Sequence, residues 1–279
     1  MLAKFRHLKS EKSLLPDGSH ILELSMTGIK TIFSGLLVCA ALLFSGQDLR
    51  PEQQRNIQII TDLFKKADRT QIANHIQYPL KRQTPVPDIK SKIEMLAHFD
   101  EVFDEELLAI IANSGADNWS ARGWRGIMLN DGLLWLDDSA KFIRAINYSS
   151  SAEQRKKSQL IRADKAALHP SLREYKEPVY LVTTKTYRIR IDEISNGFYR
   201  YASWKKEKAT SARPDLTINN GTVDMQGSGG NHVFIFTNGR YKYEIYRAYL
   251  REAGSAAVSL IVYLNGKMIL RQDGELLPF

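Results

Sequence analysis

The side chains best able to perform acid–base chemistry form one acidic cluster, Asp100, Glu101, Asp104, Glu105 and Glu106. Residues four apart share a face of a helix, so the 100/104 and 101/105 pairs are expected to lie together on one helix. Catalysis by such a pair would also require burial, which raises the pKa of a carboxyl. The neighbouring apolar residues, Phe99, Val102 and Phe103, favour instead a solvated acidic face opposite a buried one. Such a face could also bind a basic partner.

Other reactive residue types lack the spacing of a catalytic or metal site. The six histidines are scattered, and the single cysteine, Cys39, rules out an internal disulfide and a zinc site built on several thiolates. Residues 227–230, GSGG, have no helix predicted after them, which is typical of a loop and not of a phosphate-binding segment. We therefore expect no catalytic residue, metal or cofactor, and predict that the protein is not an enzyme.

An apolar run near the start of the chain predicts export. Residues 31–45, TIFSGLLVCAALLFS, follow Lys30 and are shorter than the roughly 20 residues of a membrane-spanning helix. This pattern is typical of a secretory signal, so residues 1–46 are expected to be a signal peptide, with Met26 as an alternative start, or an uncut signal anchor. Lipidation at Cys39 is a further alternative. We expect a periplasmic protein, or one anchored in the inner membrane that faces the periplasm.

The rest of the chain divides into two parts of different charge. Residues 47–148 carry 13 basic and 15 acidic side chains, whereas residues 149–279 carry 21 and 13. The predicted secondary structure changes at the same place, which indicates a domain boundary. The net charge of +8 for the whole chain is too small to require a nucleic-acid partner.

The first part is predicted to contain helices followed by strands. Ile57, Ile60 and Phe64 recur at helical spacing, and they predict a helix over residues 51–66. The remaining expected elements are a short helix capped by Asp68, a long helix from 88 or 91 to about 115, a hairpin at 124–136 and a strand at 141–148.

The stretch from His75 to Trp135 contains YPL, a proline-rich turn, FDEVFDEEL, GWRGIML, NDG and LLWL. In the order and general character of these motifs, the stretch resembles uncharacterised exported bacterial proteins that carry an NTF2-like domain. The resemblance implies that residues 47–148 form an α+β cone, in which helices lean over a curved antiparallel sheet. Aromatic side chains facing into such a cone either fill it or line a ligand pocket. The candidate pocket residues are Tyr78, Phe103, Trp119, Trp124 and Trp135.

The second part is predicted to be a helical linker over residues 149–170 and an all-β domain over residues 171–279. Short strands alternate with turn signals such as Asn238-Gly239 and Asn265-Gly266, a spacing typical of an antiparallel β-sandwich or barrel. The predicted strands cover 179–183, 187–191, 197–204, 216–225, 232–237, 241–249, 257–264 and 267–271.

These patterns favour an exported cell-envelope protein that binds a protein partner without chemistry, and toxin immunity is one hypothesis within that class. The candidate partner-binding residues are acidic in the first part and basic in the second: Asp100, Asp104, Glu105, Arg188, Arg190, Arg200 and Lys205. Anionic lipid or a wall polymer is an alternative partner, and nucleic acid is not expected. We expect membrane contact only through residues 31–45, if that segment is uncut. The rival hypothesis is a small-ligand carrier or an enzyme that uses the aromatic pocket.

Overall fold

The computed structural model describes residues 49–195 and 197–279. The predicted signal segment and Cys39 lie outside the described residues. Among the described residues, no helix is both long enough and apolar enough to span a membrane.

Five helices open the described chain and share one apolar core with a small sheet. Their bounds are α1 Pro51–Lys65, α2 Arg69–Asn74, α3 Lys92–Ala97, α4 Phe99–Val102 and α5 Glu105–Ala112. Pro51 occupies the first turn of α1, where its missing N–H costs nothing, and the Asp68 carboxylate caps α2 by accepting the Gln71 N–H. Ile57, Ile60 and Phe64 of α1 are buried, as their spacing predicts.

The long helix expected between residues 88 and 115 is three short ones, so that prediction was wrong. Ser91 caps α3, the chain turns at His98, and Asp104 starts α5 by accepting the Leu107 N–H at 2.9 Å. The breaks let Phe99, Val102 and Phe103 all point into the core. As a consequence, the acidic residues do not lie on one continuous helix.

A four-stranded antiparallel sheet follows, in the order β1-β2-β3-β4. Its strands are β1 Trp119–Ala121, β2 Ile127–Leu129, β3 Leu134–Leu136 and β4 Ile143–Ile146. In β1 to β3, alternate residues are buried against the helices. The Asn130-Asp131-Gly132 turn joins β2 to β3, as the sequence predicts.

The helix α6 (Ser151–Ala167) leads into a closed antiparallel barrel. The eight strands are β5 Glu177–Thr184, β6 Tyr187–Ser195, β7 Phe198–Lys205, β8 Leu216–Met225, β9 His232–Asn238, β10 Tyr241–Arg247, β11 Val258–Leu264 and β12 Lys267–Leu277. Each strand pairs with the next, and β12 closes the barrel against β5. The α+β class is confirmed, and the β part is a barrel, one of the two predicted forms.

Side chains fill the interior of the barrel. Ile189, Tyr201, Phe234 and Phe236 belong to its buried core. Eight strands enclose a space just wide enough for such side chains. Gly221 belongs to this packing, because a Cβ at that position would lie 2.1 Å from the Phe236 ring.

A buried network of charges holds the end of α6 against the outer wall of the barrel. Alternate residues of a strand face opposite sides, so Arg190 and Asp192 on β6 point outward, as does Arg200 on β7. The guanidinium of Arg190 donates to both Asp164 carboxylate oxygens (2.9 and 2.6 Å) and to Asp192 (2.7 Å). Arg200 donates to the other Asp192 oxygen at 2.7 Å and to the carbonyl of Leu172 at 2.6 Å. Two carboxylates thus balance two guanidiniums.

A second network holds the start of α6 against the helices. The buried guanidinium of Arg82 donates to Glu153 at 3.1 Å and to Glu101 at 3.3 Å. Glu101 also accepts from Lys156 at 2.9 Å, and its other oxygen lies 3.1 Å from the ring of His98. Burial raises the pKa of Glu101, but hydrogen bonds from Lys156, His98 and Arg82 outweigh it and lower the pKa from its usual 4.5 to about 2. Both ends of α6 are therefore fixed by ion pairs.

We expect Asp192→Asn to lower the free energy of unfolding by about 3–5 kcal/mol, because it leaves two buried guanidiniums with one carboxylate between them. Urea unfolding followed by tryptophan fluorescence measures the change. Asp62→Asn is the control, since it removes a half-exposed pair with Lys65 and should change stability little. An Asp192 variant as stable as the control would contradict the role of the network.

Glu101→Gln should make the free energy of unfolding vary less with pH in the acid range. A lowered pKa contributes stability that is fully present above the unfolded-state pKa and is lost as pH falls through the folded-state value. The variant should therefore be less stable than the wild type at neutral pH, and the gap should narrow from about pH 4.5 to pH 2. Urea unfolding over that range checks this, with the exposed Glu105→Gln as control. A gap that does not change with pH would count against the assignment.

Candidate functional site

Three of the five predicted pocket aromatics pack into the first core. Phe103 is fully buried between Phe64 and Phe99, with ring centroids 5.3 and 5.0 Å away. Trp119 is buried and its Nε1–H donates to the Ser114 hydroxyl at 3.0 Å. The hydroxyl of Tyr78 donates to the carbonyl of Ala73 at 2.8 Å, and burial raises its pKa to about 12.

The other two aromatics lie away from these. Trp135 is half-buried on the opposite face of the sheet from Trp119, because Trp119 pairs with Leu129, which pairs with Leu134. Trp124 is exposed in a turn, with the guanidinium of Arg125 5.7 Å from its ring. The structure therefore does not bring the five residues around one cavity. A hollow of about 350 Å³ near α1 is lined by other residues, among them His75 and Phe142.

The acidic partner-binding candidates have internal roles, with one exception. Asp100 forms a two-bond pair with Arg69 (2.7 and 2.9 Å), and Asp104 caps α5 and accepts the Tyr148 hydroxyl at 2.8 Å. Glu105 is exposed and has no ion pair within the described part of the chain. Asp100 and Glu105 are exposed to solvent, whereas Asp104 is half-buried.

The basic candidates also separate. Arg190 and Arg200 are only 1% and 4% exposed, since both belong to the buried network under α6. Arg188 is half-buried and donates to the carbonyl of Lys208 at 2.6 Å, whereas Lys205 is exposed. A partner therefore has access to Lys205 but not to Arg190 or Arg200.

The structure points to a different site at one end of the barrel, here called the barrel mouth: Tyr180, Tyr199, Met225, His232, Arg247, Tyr249 and Leu250. His232 pairs across the barrel wall with Met225 on one side and Arg247 on the other. The rings of Tyr180, Tyr199 and His232 all contact Phe234, the outermost aromatic of the core, with centroids 4.7–5.8 Å apart. An aromatic layer thus closes the core at this end.

One loop presents the outermost residues of the mouth. The amide oxygen of Asn231 accepts the N–H groups of Tyr249 (2.7 Å) and Leu250 (2.9 Å), and its nitrogen donates to the Leu250 carbonyl at 2.9 Å. Leu250 lies over Gly229, where a Cβ would come within 2.3 Å of the leucine side chain. Gly229 therefore makes room for this loop.

Arg247 supports the loop from below. Its guanidinium donates to the carbonyls of Ala248 (3.0 Å) and Ala257 (2.8 Å), the first and last residues of the connection, and lies 4.2 Å from the ring of Tyr249. Above this base, Met225 is 59% exposed, Tyr249 53% and Leu250 62%. Three large side chains are thus open to solvent, and the loop that carries Tyr249 and Leu250 is held in place.

The side chains of the barrel mouth can bind by hydrogen bonding and by ring stacking. The Nδ1 of His232 lies 2.8 Å from the carbonyl of Gly230, which only accepts, so this nitrogen carries the proton. Nε2 of the ring lies 3.1 Å from the Tyr180 hydroxyl, within hydrogen-bond distance. Burial, with smaller contributions from Tyr249, raises the pKa of Tyr180, so it remains a neutral phenol. In residues 49–195 and 197–279, no three His, Cys, Asp or Glu side chains are grouped to hold a metal.

Sequence reasoning missed this site, although one signal was present. GSGG followed directly by Asn231 and His232 is a loop that combines conformational freedom with a side-chain acceptor. What the sequence does not show is that residues 249–250 return to this loop across the barrel rim.

Comparison with known proteins adds no family to this description. No protein-family model matches the chain, and neither a curated protein nor a solved structure matches it.

Asn231→Ala should loosen the loop at the mouth while leaving the barrel folded, because the variant lacks the three hydrogen bonds that join Asn231 to Tyr249 and Leu250. The amides of these residues should exchange with solvent faster, and unfolding stability should fall by about 1 kcal/mol. Hydrogen–deuterium exchange measures the first effect. The control is the exposed Asn219→Ala on β8. Unchanged exchange at 249–250 would show that Asn231 does not hold the loop.

Proposed function

We propose that this chain is an exported cell-envelope protein that binds a protein partner through the barrel mouth and performs no chemistry. The observation that carries the proposal is the contrast between a filled core and an exposed, braced apolar tip. The N–H groups of Tyr249 and Leu250 donate to the amide oxygen of Asn231, and the guanidinium of Arg247 lies 4.2 Å from the Tyr249 ring.

This combination supports binding to a protein surface. Residues that dominate protein interfaces are enriched in tyrosine, tryptophan and arginine and are held in place before the partner arrives. At the mouth, Tyr249, Arg247 and Tyr180 provide such groups, and Met225 adds a side chain that adapts to irregular surfaces. The tightly packed barrel core below supports a surface contact more than a buried small ligand.

Two further parts of the proposal rest on sequence. The apolar run at residues 31–45 supports export, with the periplasm as the location. The order of helices and a four-stranded antiparallel sheet in the first half is compatible with an NTF2-like cone. Neutralisation of a toxin remains one hypothesis for the partner.

Affinity capture of the full-length chain from the envelope fraction of its own host tests the proposal. Leu250→Asp should reduce the captured partner by at least about tenfold, because it places a charge in the centre of an apolar contact. The matched control is Ile93→Asp, which alters a side chain that is 81% exposed on α3, away from the mouth. Equal loss with both variants, or equal retention with both, would overturn the assignment to the mouth. Absence of the chain from the envelope fraction would overturn export.

A further inference from the structure

The two ends of the barrel differ in net charge. The connections β5–β6, β7–β8, β9–β10 and β11–β12 all lie at the end opposite the mouth, as they must in a barrel whose strands alternate in direction. These segments, here called the basic end, are residues 185–188, 205–215, 239–242 and 265–268, and they carry nine basic and two acidic side chains. The segments around the mouth, 173–176, 224–232, 247–258 and 275–279, carry four of each.

Most cations of the basic end are available to an outside partner. Six of them are exposed and make no ion pair with any residue that the structure describes: Lys185, Lys205, Lys206, Arg213, Arg240 and Lys267. Two others are already neutralised, since Lys208 pairs with Asp215 and Lys242 with Glu244. The excess positive charge therefore faces solvent.

The loops that carry these cations are tied together. The Lys206 N–H donates to the carbonyl of Thr186 at 2.8 Å, which joins the first two connections. The Asn265 N–H donates to the carbonyl of Arg240 at 3.1 Å, which joins the last two. Gln272 of β12 accepts from the hydroxyl of Thr184 at 2.8 Å, which ties the end of β5 to β12 across the closing seam.

Apolar side chains protrude among the cations. Val262 pairs with Leu270 but Tyr263 pairs with Met268, so Ile269 is the extra residue of a β-bulge. The bulge leaves two consecutive residues open to solvent, and Met268 and Ile269 are 51% and 52% exposed. Tyr241, on the neighbouring hairpin, is also exposed.

We propose that the basic end docks on the surface of a bilayer that contains anionic phospholipid. Lysine and arginine side chains are attracted to the head-group charge, while tyrosine and aliphatic side chains enter the boundary between head groups and acyl chains. This inference rests on the basic end alone and not on the function proposed for the mouth.

A bilayer fits these features better than other polyanions. Single-stranded nucleic acid is bound by stacking on rows of aromatic rings, whereas the protruding residues next to Lys267 are aliphatic. An acidic protein would attract the cations but gives no reason for two adjacent exposed aliphatic residues on a bulge. Charge together with shallow apolar insertion is the combination that a membrane surface recognises.

Sedimentation of the full-length chain with lipid vesicles tests the proposal, with phosphatidylcholine alone compared with its mixture with phosphatidylglycerol. Binding to the anionic vesicles should exceed binding to the neutral ones and should weaken with salt. Lys185→Gln with Lys206→Gln should lower the affinity for anionic vesicles about 25-fold, about fivefold for each lysine. Met268→Ser with Ile269→Ser should also weaken binding, without changing the salt dependence.

The matched control is Lys66→Gln with Lys90→Gln, which removes the same charge from exposed positions in the helical half and should keep wild-type binding. Residues 31–45 are present in every sample, so their contribution cancels in the comparison. Circular dichroism confirms that each variant is folded. Equal binding to neutral and anionic vesicles, or equal loss in the control, would overturn the proposal. So would salt-sensitive binding of polyglutamate or of an oligonucleotide by a chain that shows no preference for anionic vesicles.

Discussion

The buried charges between α6 and the barrel wall determine how the described chain is assembled. Successive side chains of β6 point to opposite faces, so one face contributes to the barrel core and the other carries Arg190 and Asp192. A charged outer wall would normally face water. Here Asp164 and the segment after α6 cover it, and the ring of Tyr175 lies 5.0 Å from the guanidinium of Arg190. Buried ions need close partners, so α6 has only a narrow range of positions that satisfy them all.

Local signals in the sequence predict the barrel strands well. Segments in which apolar and polar residues alternate are separated by turn pairs such as Asn238-Gly239 and Asn265-Gly266. Each predicted strand has a counterpart in the structure. Alternation also suggests that Tyr201 packs inward, as it does, because the period of two places every second residue on the same face.

What alternation cannot predict is which outward face another element will cover. Arg188 and Arg190 lie on the same outer face of β6, yet Arg190 is buried under α6 and Arg188 is only half-buried. The helical half shows the same limit. Asp104 follows an apolar run at helical spacing, and an aspartate at such a position can either lie inside a helix or cap the start of a new one. In the structure it caps α5, and the packing of Phe103 favours that arrangement. The mouth depends on a contact between residues 231 and 250, which no local pattern encodes.

Closure of the barrel also has a consequence for the order in which the chain folds. The last strand pairs with the first, so Leu277 must reach Leu181 before the wall is continuous. During synthesis, the helices and α6 emerge long before that partner exists, while β5 waits as an unpaired edge open to association with other strands. Because distant pairings of this kind form slowly, completion of the barrel is expected to be the slow step of folding.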